Sequence, residues 1–151
     1  MSRTVSTKVE GPRNPTPHEY GSFLRFLSRC YGYSDPKWFE KYAPLFYGPS
    51  SKQLSRKWIV KARGHFLAHV GVFPFASFVE GRKMRVAGIG GVATDSAYRG
   101  QGYMQNLIEF VDRRNRAEGY ALSILWGDRW RYNQFGYERA LVQNHFVFSR
   151  R

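Results

Sequence analysis

A single cysteine, Cys30, occurs in the 151 residues, so no intrachain disulfide and no multi-cysteine metal site can form. Acidic residues are also scarce. There are 11 Asp and Glu against 24 Lys and Arg, a formal charge of +13. Such a field draws in anions but does not distinguish a nucleic acid from a phosphorylated small molecule or an acidic membrane. No apolar run nears the roughly 20 residues that a membrane span needs. Met1-Ser2-Arg3-Thr4-Val5 lacks the apolar stretch of a signal peptide, and a soluble, cytoplasmic protein with no membrane partner is the expectation. Neither G-x-x-x-x-G-K-[ST] nor G-x-G-x-x-G occurs, which sets aside ATP hydrolysis and dinucleotide redox chemistry. No helix-turn-helix, zinc finger or RNA-binding aromatic motif accompanies the charge, so a basic nucleic-acid-binding module has charge as its only support. His65 and His69 are four apart in a strand-like stretch with no third ligand at motif spacing, and no metal is expected.

What remains is a globular composition, 42% hydrophobic and 17% aromatic, fit for one domain over residues 1–151 with 1–17 partly flexible. The pattern predicts a first strand at Val5–Val9 and a loop over Gly11–Pro17, whose three prolines oppose regular structure. A helix follows from about His18 to Tyr31, with Phe23, Phe26, Leu27 and Cys30 on its buried face. Asp35-Pro36 opens a short helix through Tyr42. Strands are expected at Lys57–Arg63, His65–Val79 and Met84–Thr94. Gly88, Gly90 and Gly91 in the last mark a bulge or a close ligand approach. Met104, Leu107, Ile108 and Val111 give the i, i+3, i+4, i+7 spacing of an amphipathic helix ending near Gly119. A buried strand at Tyr120–Trp126, one or two helical turns at Arg129–Phe135 and a strand at Tyr137–Ser149 complete the order. It suits an α/β (α+β) domain, a mixed sheet with helices on both faces.

The most informative segment is the junction Val92-Ala93-Thr94-Asp95-Ser96-Ala97-Tyr98-Arg99-Gly100-Gln101-Gly102-Tyr103-Met104. Glycines at 100 and 102 let backbone N–H groups approach an anion, the helix N-terminus adds about half a positive charge, and Arg99 adds a forked cation. An ordinary strand-to-helix turn is the alternative for these residues taken alone.

This junction resembles motif A of the GNAT superfamily of N-acetyltransferases, [Q/R]-x-x-G-x-[G/A], with Arg99 and Gly102 in the two main positions and Met104 in place of the usual small residue. Tyr132-Asn133-Gln134-Phe135-Gly136-Tyr137 resembles the superfamily's tyrosine segment, and its Y-x-x-F-G-Y form is most similar to the first domain of the enhanced intracellular survival branch. The likeness spans roughly residues 65 to 140. It implies a GNAT-like, mostly antiparallel sheet and transfer of acetyl from acetyl-coenzyme A, as acyl-donor cosubstrate, to a primary amine. It further implies cofactor contacts from Val92, Ala93, Thr94, Arg99, Gly100, Gln101, Gly102, Tyr103 and Met104, with Tyr132 as general acid. The backbone near Gly91–Ala93 is the expected site for the thioester oxygen. Glu80, Asp128 and Glu138 are the carboxylates considered as base, and the run Val72–Phe78 with Trp126 and Trp130 the candidate acceptor groove. The acceptor, a small molecule or a peptide amine, is not fixed by these motifs, nor is a homo-oligomer. Members of that branch are usually longer, which leaves 1–151 open as the N-terminal part of a larger protein. Gly127 stands where the branch tends to have a polar residue. With the base unassigned, this keeps a catalytically degenerate coenzyme A-binding domain as an alternative.

Overall fold

A computed structural model of the chain describes residues 8–140. The chain first runs as strand β1 (Val9–Arg13), then through a single turn at Pro17–Glu19 into helix α1 (Tyr20–Cys30). Two short helices follow, α2 (Trp38–Tyr42) and α3 (Ser51–Leu54). Strands β2 (Lys57–Ala62), β3 (His65–Val79) and β4 (Arg82–Thr94) form consecutive hairpins. Helix α4 (Tyr103–Ala117), strand β5 (Leu122–Leu125) and helix α5 (Arg129–Tyr132) complete the described order.

The sheet order is β1-β2-β3-β4-β5. All pairs are antiparallel except β4 with β5, which are parallel. Parallel neighbours need a crossover, and α4 supplies it. Successive strand residues point to opposite faces, and β2 shows the consequence: Ile59 packs with α1 and Val60 with α4. On one face Phe23, Leu24, Phe26 and Leu27 of α1 meet Ile59, Phe66 and Ala93; on the other Leu107, Ile108 and Val111 of α4 meet Leu67, Val70 and Ala87. Helices therefore cover both faces, as the amphipathic spacings require.

Two local expectations are corrected, and one short helix was not foreseen. The first described strand lies at Val9–Arg13, so it shares only Val9 with the expected strand and runs on through Gly11–Arg13, which were read as loop. Its register with β2 skips between Glu10 and Arg13, so Pro12 is spared the ladder hydrogen bond it cannot make. Val5 to Thr7 lie outside the described residues. Asp35 does not cap a helix beginning at Pro36: its carboxylate accepts the Lys37 N–H at 2.8 Å, and the helix begins at Trp38. Helix α3 was hidden in the Gly-Pro-Ser-Ser segment, where Ser50 Oγ accepts the Gln53 N–H as N-cap.

Strand β5 is only half-buried rather than buried, with Leu122 exposed. Residues 137–140 have no regular structure, and the remainder of the strand expected at Tyr137–Ser149 lies outside the described residues.

An ion network binds β1, β2 and the start of α1. Glu19 accepts from both guanidinium nitrogens of Arg13 at 2.8 Å and pairs with Lys61. The Arg13 guanidinium holds the Glu19 carboxyl well below the usual carboxylate range.

Candidate active site

Strand β4 builds one wall of the main cleft, and its geometry follows from a mismatch with β3. His69 pairs with Ala93 and Gly71 with Gly90, leaving Val70 opposite two residues, Gly91 and Val92. The extra residue makes a bulge, with Gly91 at φ +60, a left-handed conformation that a side chain would strain. Tyr47 and His69 also crowd the place where a Gly91 Cβ would stand. The other strand glycines have a packing reason instead. A Cβ at Gly71 or Gly90 would lie 2.9 Å from the Phe73 ring, and one at Gly88 would lie 3.0 Å from the Phe73 carbonyl oxygen. The expectation of a ligand approach is thus corrected for Gly88 and Gly90, which make room for Phe73.

Past Ile89 the sheet opens. The β4–β5 register runs from Val86–Leu122 to Ile89–Leu125 and ends there. Beyond it β4 continues through Val92, Ala93 and Thr94, while the chain after β5 turns away through Trp126, Gly127 and Asp128. The two diverging segments flank a cleft of about 670 Å³. Asp128 starts the turn away by accepting the Trp130 N–H as N-cap of α5. Tyr137 anchors the return, its hydroxyl donating to Ser123 Oγ at 2.9 Å.

At the end of β4, Asp95 accepts the Ala97 N–H and pairs with Arg29 from α1 at 2.6 Å, fixing the loop's start. The loop then passes through Gly100 at φ +76 and Gly102 at φ +79, the latter being the N-cap of α4. Space beside both glycines is open. The first intrahelical bond of α4 runs from Asn106 N–H to Gly102 O, so the amides of Tyr103, Met104 and Gln105 precede the helical ladder. Arg99 is exposed at the loop's entrance and, among the described residues, makes no ion pair.

Of the residues expected from the sequence, Val92, Ala93, Thr94, Arg99, Gly100, Gly102, Met104 and Tyr132 line this cleft. Gln101 and Tyr103 do not; Gln101 points to solvent and Tyr103 packs on the α4-side core. Tyr132 is 6% exposed, and burial pushes its phenol above the usual tyrosine range. The Tyr132 ring also explains Gly127: a Cβ there would stand 2.5 Å from Tyr132 Cε2.

Trp126 lines the cleft, whereas Trp130 is exposed outside it and the Val72–Phe78 run lies elsewhere on the hairpin. Among the three carboxylates considered, Asp128 lines the cleft. Glu138 is paired with Arg129, and Glu80 sits in the β3–β4 turn.

Sequence reasoning missed Cys30, Tyr31, Gln105, Arg131 and Gln134 in the cleft wall. Cys30 was read as a core residue, but it is half-buried at the end of α1 and burial pushes its thiol up. Tyr31 donates to the Val92 carbonyl at 3.2 Å, and burial pushes its phenol up to about 12. The signal for both was their position within one turn of Leu27 at the C-terminal end of α1; nothing in the sequence says which strand lies beneath. His69 was seen only as a poor metal ligand. It is fully buried, and its Nδ1 donates to the Gly91 carbonyl at 2.7 Å. Among the described residues no group of three metal-ligating side chains occurs, and no helix is long and apolar enough to cross a membrane.

Comparison with known proteins agrees with this arrangement. The profile of the family described as Acetyltransferase (GNAT) domain matches residues 12–140, more of the chain than the two motifs cover. The uncharacterized N-acetyltransferase YhbS of Escherichia coli (strain K12) is 35% identical over 78 residues, 51% of this chain and 45% of that protein. The chain thus spans about half the length of the curated relatives it matches.

A GCN5-related N-acetyltransferase from Kribbella flavida superposes with a TM-score of 0.72 at 26% identity, over 91% of this chain and 34% of that one. A predicted acetyltransferase from Clostridium acetobutylicum, solved with acetyl-CoA, gives a TM-score of 0.71 over 93% and 96% of the two chains; at 12% identity that likeness speaks for the fold. With strand, bulge, glycine loop and helix in this order and the family profile across most of its length, the chain belongs to the GNAT acetyltransferase family, whose members transfer acyl groups from acetyl-CoA.

Proposed function

We propose that the chain is an acetyl-CoA-dependent N-acetyltransferase acting on a primary amine, built as a single domain over residues 1–151. The observation that carries this reading is the meeting, in one cleft, of a bulged strand end, an open glycine loop at a helix N-terminus, and a buried tyrosine. The cleft suits the cosubstrate chemically. A pyrophosphate needs convergent donors and no intervening side chains, and the free amides of Tyr103–Gln105, the gaps beside Gly100 and Gly102, and Arg99 supply them. The β4 edge at Val92–Thr94, without a β5 partner, leaves backbone groups for an extended pantetheine arm. Gln101 and Tyr103 contribute through the loop backbone.

Bound acetyl-CoA supplies an acetyl thioester and a thiolate leaving group. In this reading backbone N–H groups at the Gly91–Ala93 bulge stabilise charge on the thioester carbonyl oxygen. Tyr132, kept protonated by burial, serves as the acid that gives a proton to sulfur. Asp128 is the carboxylate nearest to hand for the amine's proton, directly or through water. Tyr31 and Trp126 line the acceptor side.

The Y-x-x-F-G-Y segment favours the enhanced intracellular survival branch. The Kribbella match, confined to a third of a longer chain, accords with the longer build of that branch. Gly127 does not argue for a degenerate site, since the Tyr132 ring takes its side-chain space.

The test is calorimetric titration with acetyl-CoA, followed by thiol release across aminoglycosides, polyamines, peptide N-termini and lysine peptides. Binding in the micromolar range with turnover on at least one amine is expected; absence of acetyl-CoA binding refutes the reading.

A further inference from the structure

The bulge in β4 depends on a group outside the cleft. Gly91 O leaves the β3–β4 ladder and is held by His69 Nδ1 at 2.7 Å. A carbonyl only accepts, so Nδ1 carries the proton and the imidazole is the Nδ1–H tautomer. Its other nitrogen, Nε2, is buried without a hydrogen-bond partner. A polar group left half-satisfied in the core costs stability, so the residue invites a reason beyond packing. The ring is wedged edge-on against Phe23 of α1 with centroids 4.9 Å apart, which fixes its position on the α1 side of the sheet. Gly91–Val92 is a trans peptide, in which the C=O and the following N–H point in opposite directions. Pulling the Gly91 carbonyl toward α1 therefore turns the Val92 N–H away from His69. Val92 is a cleft residue.

We infer that His69 is a positioning residue that orients the Val92 N–H toward the acyl oxygen by holding the Gly91 carbonyl on the opposite side of the strand. The inference rests on the acetyltransferase reading above. A backbone donor of this kind acts only if its direction is fixed before the reaction, because reorientation during the reaction would consume the stabilisation it gives. Glycine at 91 makes the required φ accessible but does not select it; His69 does.

The experiment compares His69→Leu, which keeps apolar bulk without a donor, with His69→Asn, whose amide nitrogen falls close to the place of Nδ1. Steady-state kinetics use acetyl-CoA and the amine giving the fastest thiol release in the panel. His69→Leu is expected to lower kcat by about 10- to 100-fold, somewhat less than deletion of an oxyanion donor, with the KM for acetyl-CoA changed by less than about threefold. His69→Asn is expected to recover most of kcat. Nitrogen-15 NMR of the wild-type imidazole at pH 7 should show the proton on Nδ1.

Equal loss of kcat in the Leu and Asn variants, an unchanged kcat in the Leu variant, or a proton on Nε2 overturns the role of His69 while leaving the enzyme an acetyltransferase. A wild type that neither binds acetyl-CoA nor releases thiol refutes the acetyltransferase reading itself, and this role with it.

Discussion

Lys57 opens β2 with its side chain turned into the protein, 2% exposed, and among the described residues no carboxylate pairs with it. Its ammonium reaches the Gln53 carbonyl at 3.3 Å and lies 4.4 Å from the Phe73 ring centroid and 5.0 Å from that of Tyr47. Burial, with a smaller push from Arg56, brings its pKa down from the usual lysine range to about 7. Between that value and the unfolded value of about 10.4, the unfolded chain holds a proton that the native chain has released. Stability therefore rises with pH across this window and loses the contribution as pH falls toward 7.

Integrated from pH 7 to pH 9, the gain is about 2 kcal/mol. The two ring contacts favour the charged form and trim it to roughly 1–2 kcal/mol. Lys57→Met retains the aliphatic stem and removes the titration. Urea denaturation of both proteins at pH 7, 8 and 9 should give a wild-type stability that climbs relative to the Met variant by this amount. The tyrosines whose phenols burial pushes up titrate above this range and are common to both proteins. A difference constant to within about 0.5 kcal/mol across the three pH values would refute the assignment of a largely neutral, buried lysine, since one pKa unit corresponds to about 1.4 kcal/mol.

Three further outcomes test the candidate site. Arg99→Ala should weaken acetyl-CoA binding by about tenfold in calorimetry, the loss of one charge-assisted contact of roughly 1.5 kcal/mol, and more at low than at high salt. Tyr132→Phe should lower kcat by about 10²-fold or more, with the acetyl-CoA affinity little changed, as expected for a general acid; equal turnover would remove Tyr132 from that role. Gly127→Ala places a methyl group against Tyr132, so it should cost about 1–3 kcal/mol in urea denaturation, as overpacking does, and lower kcat together with stability.

The legible part of the fold was the part governed by short-range periodicity. Spacing in Phe23–Leu27 and Met104–Val111 located both long helices and their buried faces, because a helix brings residues three and four apart onto one side. The glycine loop was legible for a similar reason, since Gly100 and Gly102 announce positive φ and Arg99 an anion. The first strand was misplaced because its bulge excuses a proline that a regular ladder would reject. Serine-capped α3 was too short to give any period.

Residue order alone is enough to show that a strand rich in glycine runs into a phosphate-suited helix N-terminus and that a tyrosine segment follows. Tertiary structure decided why each glycine is there. Gly90 yields to Phe73, Gly91 turns the bulge beneath Tyr47 and His69, and Gly127 yields to Tyr132, contacts made with residues distant in the chain or across a turn. It also decided that β4 and β5 separate after Ile89, opening the cleft, and that Cys30, Tyr31 and Arg131 stand in its wall. The same holds for His69: local spacing from His65 argues only against a metal ligand and assigns it no role, whereas strand pairing turns it onto the carbonyl of Gly91, 22 residues away. Helical period and turn chemistry act over a few residues and can be read from a line of text, but register, packing and the direction of a single carbonyl are set only when the strands meet.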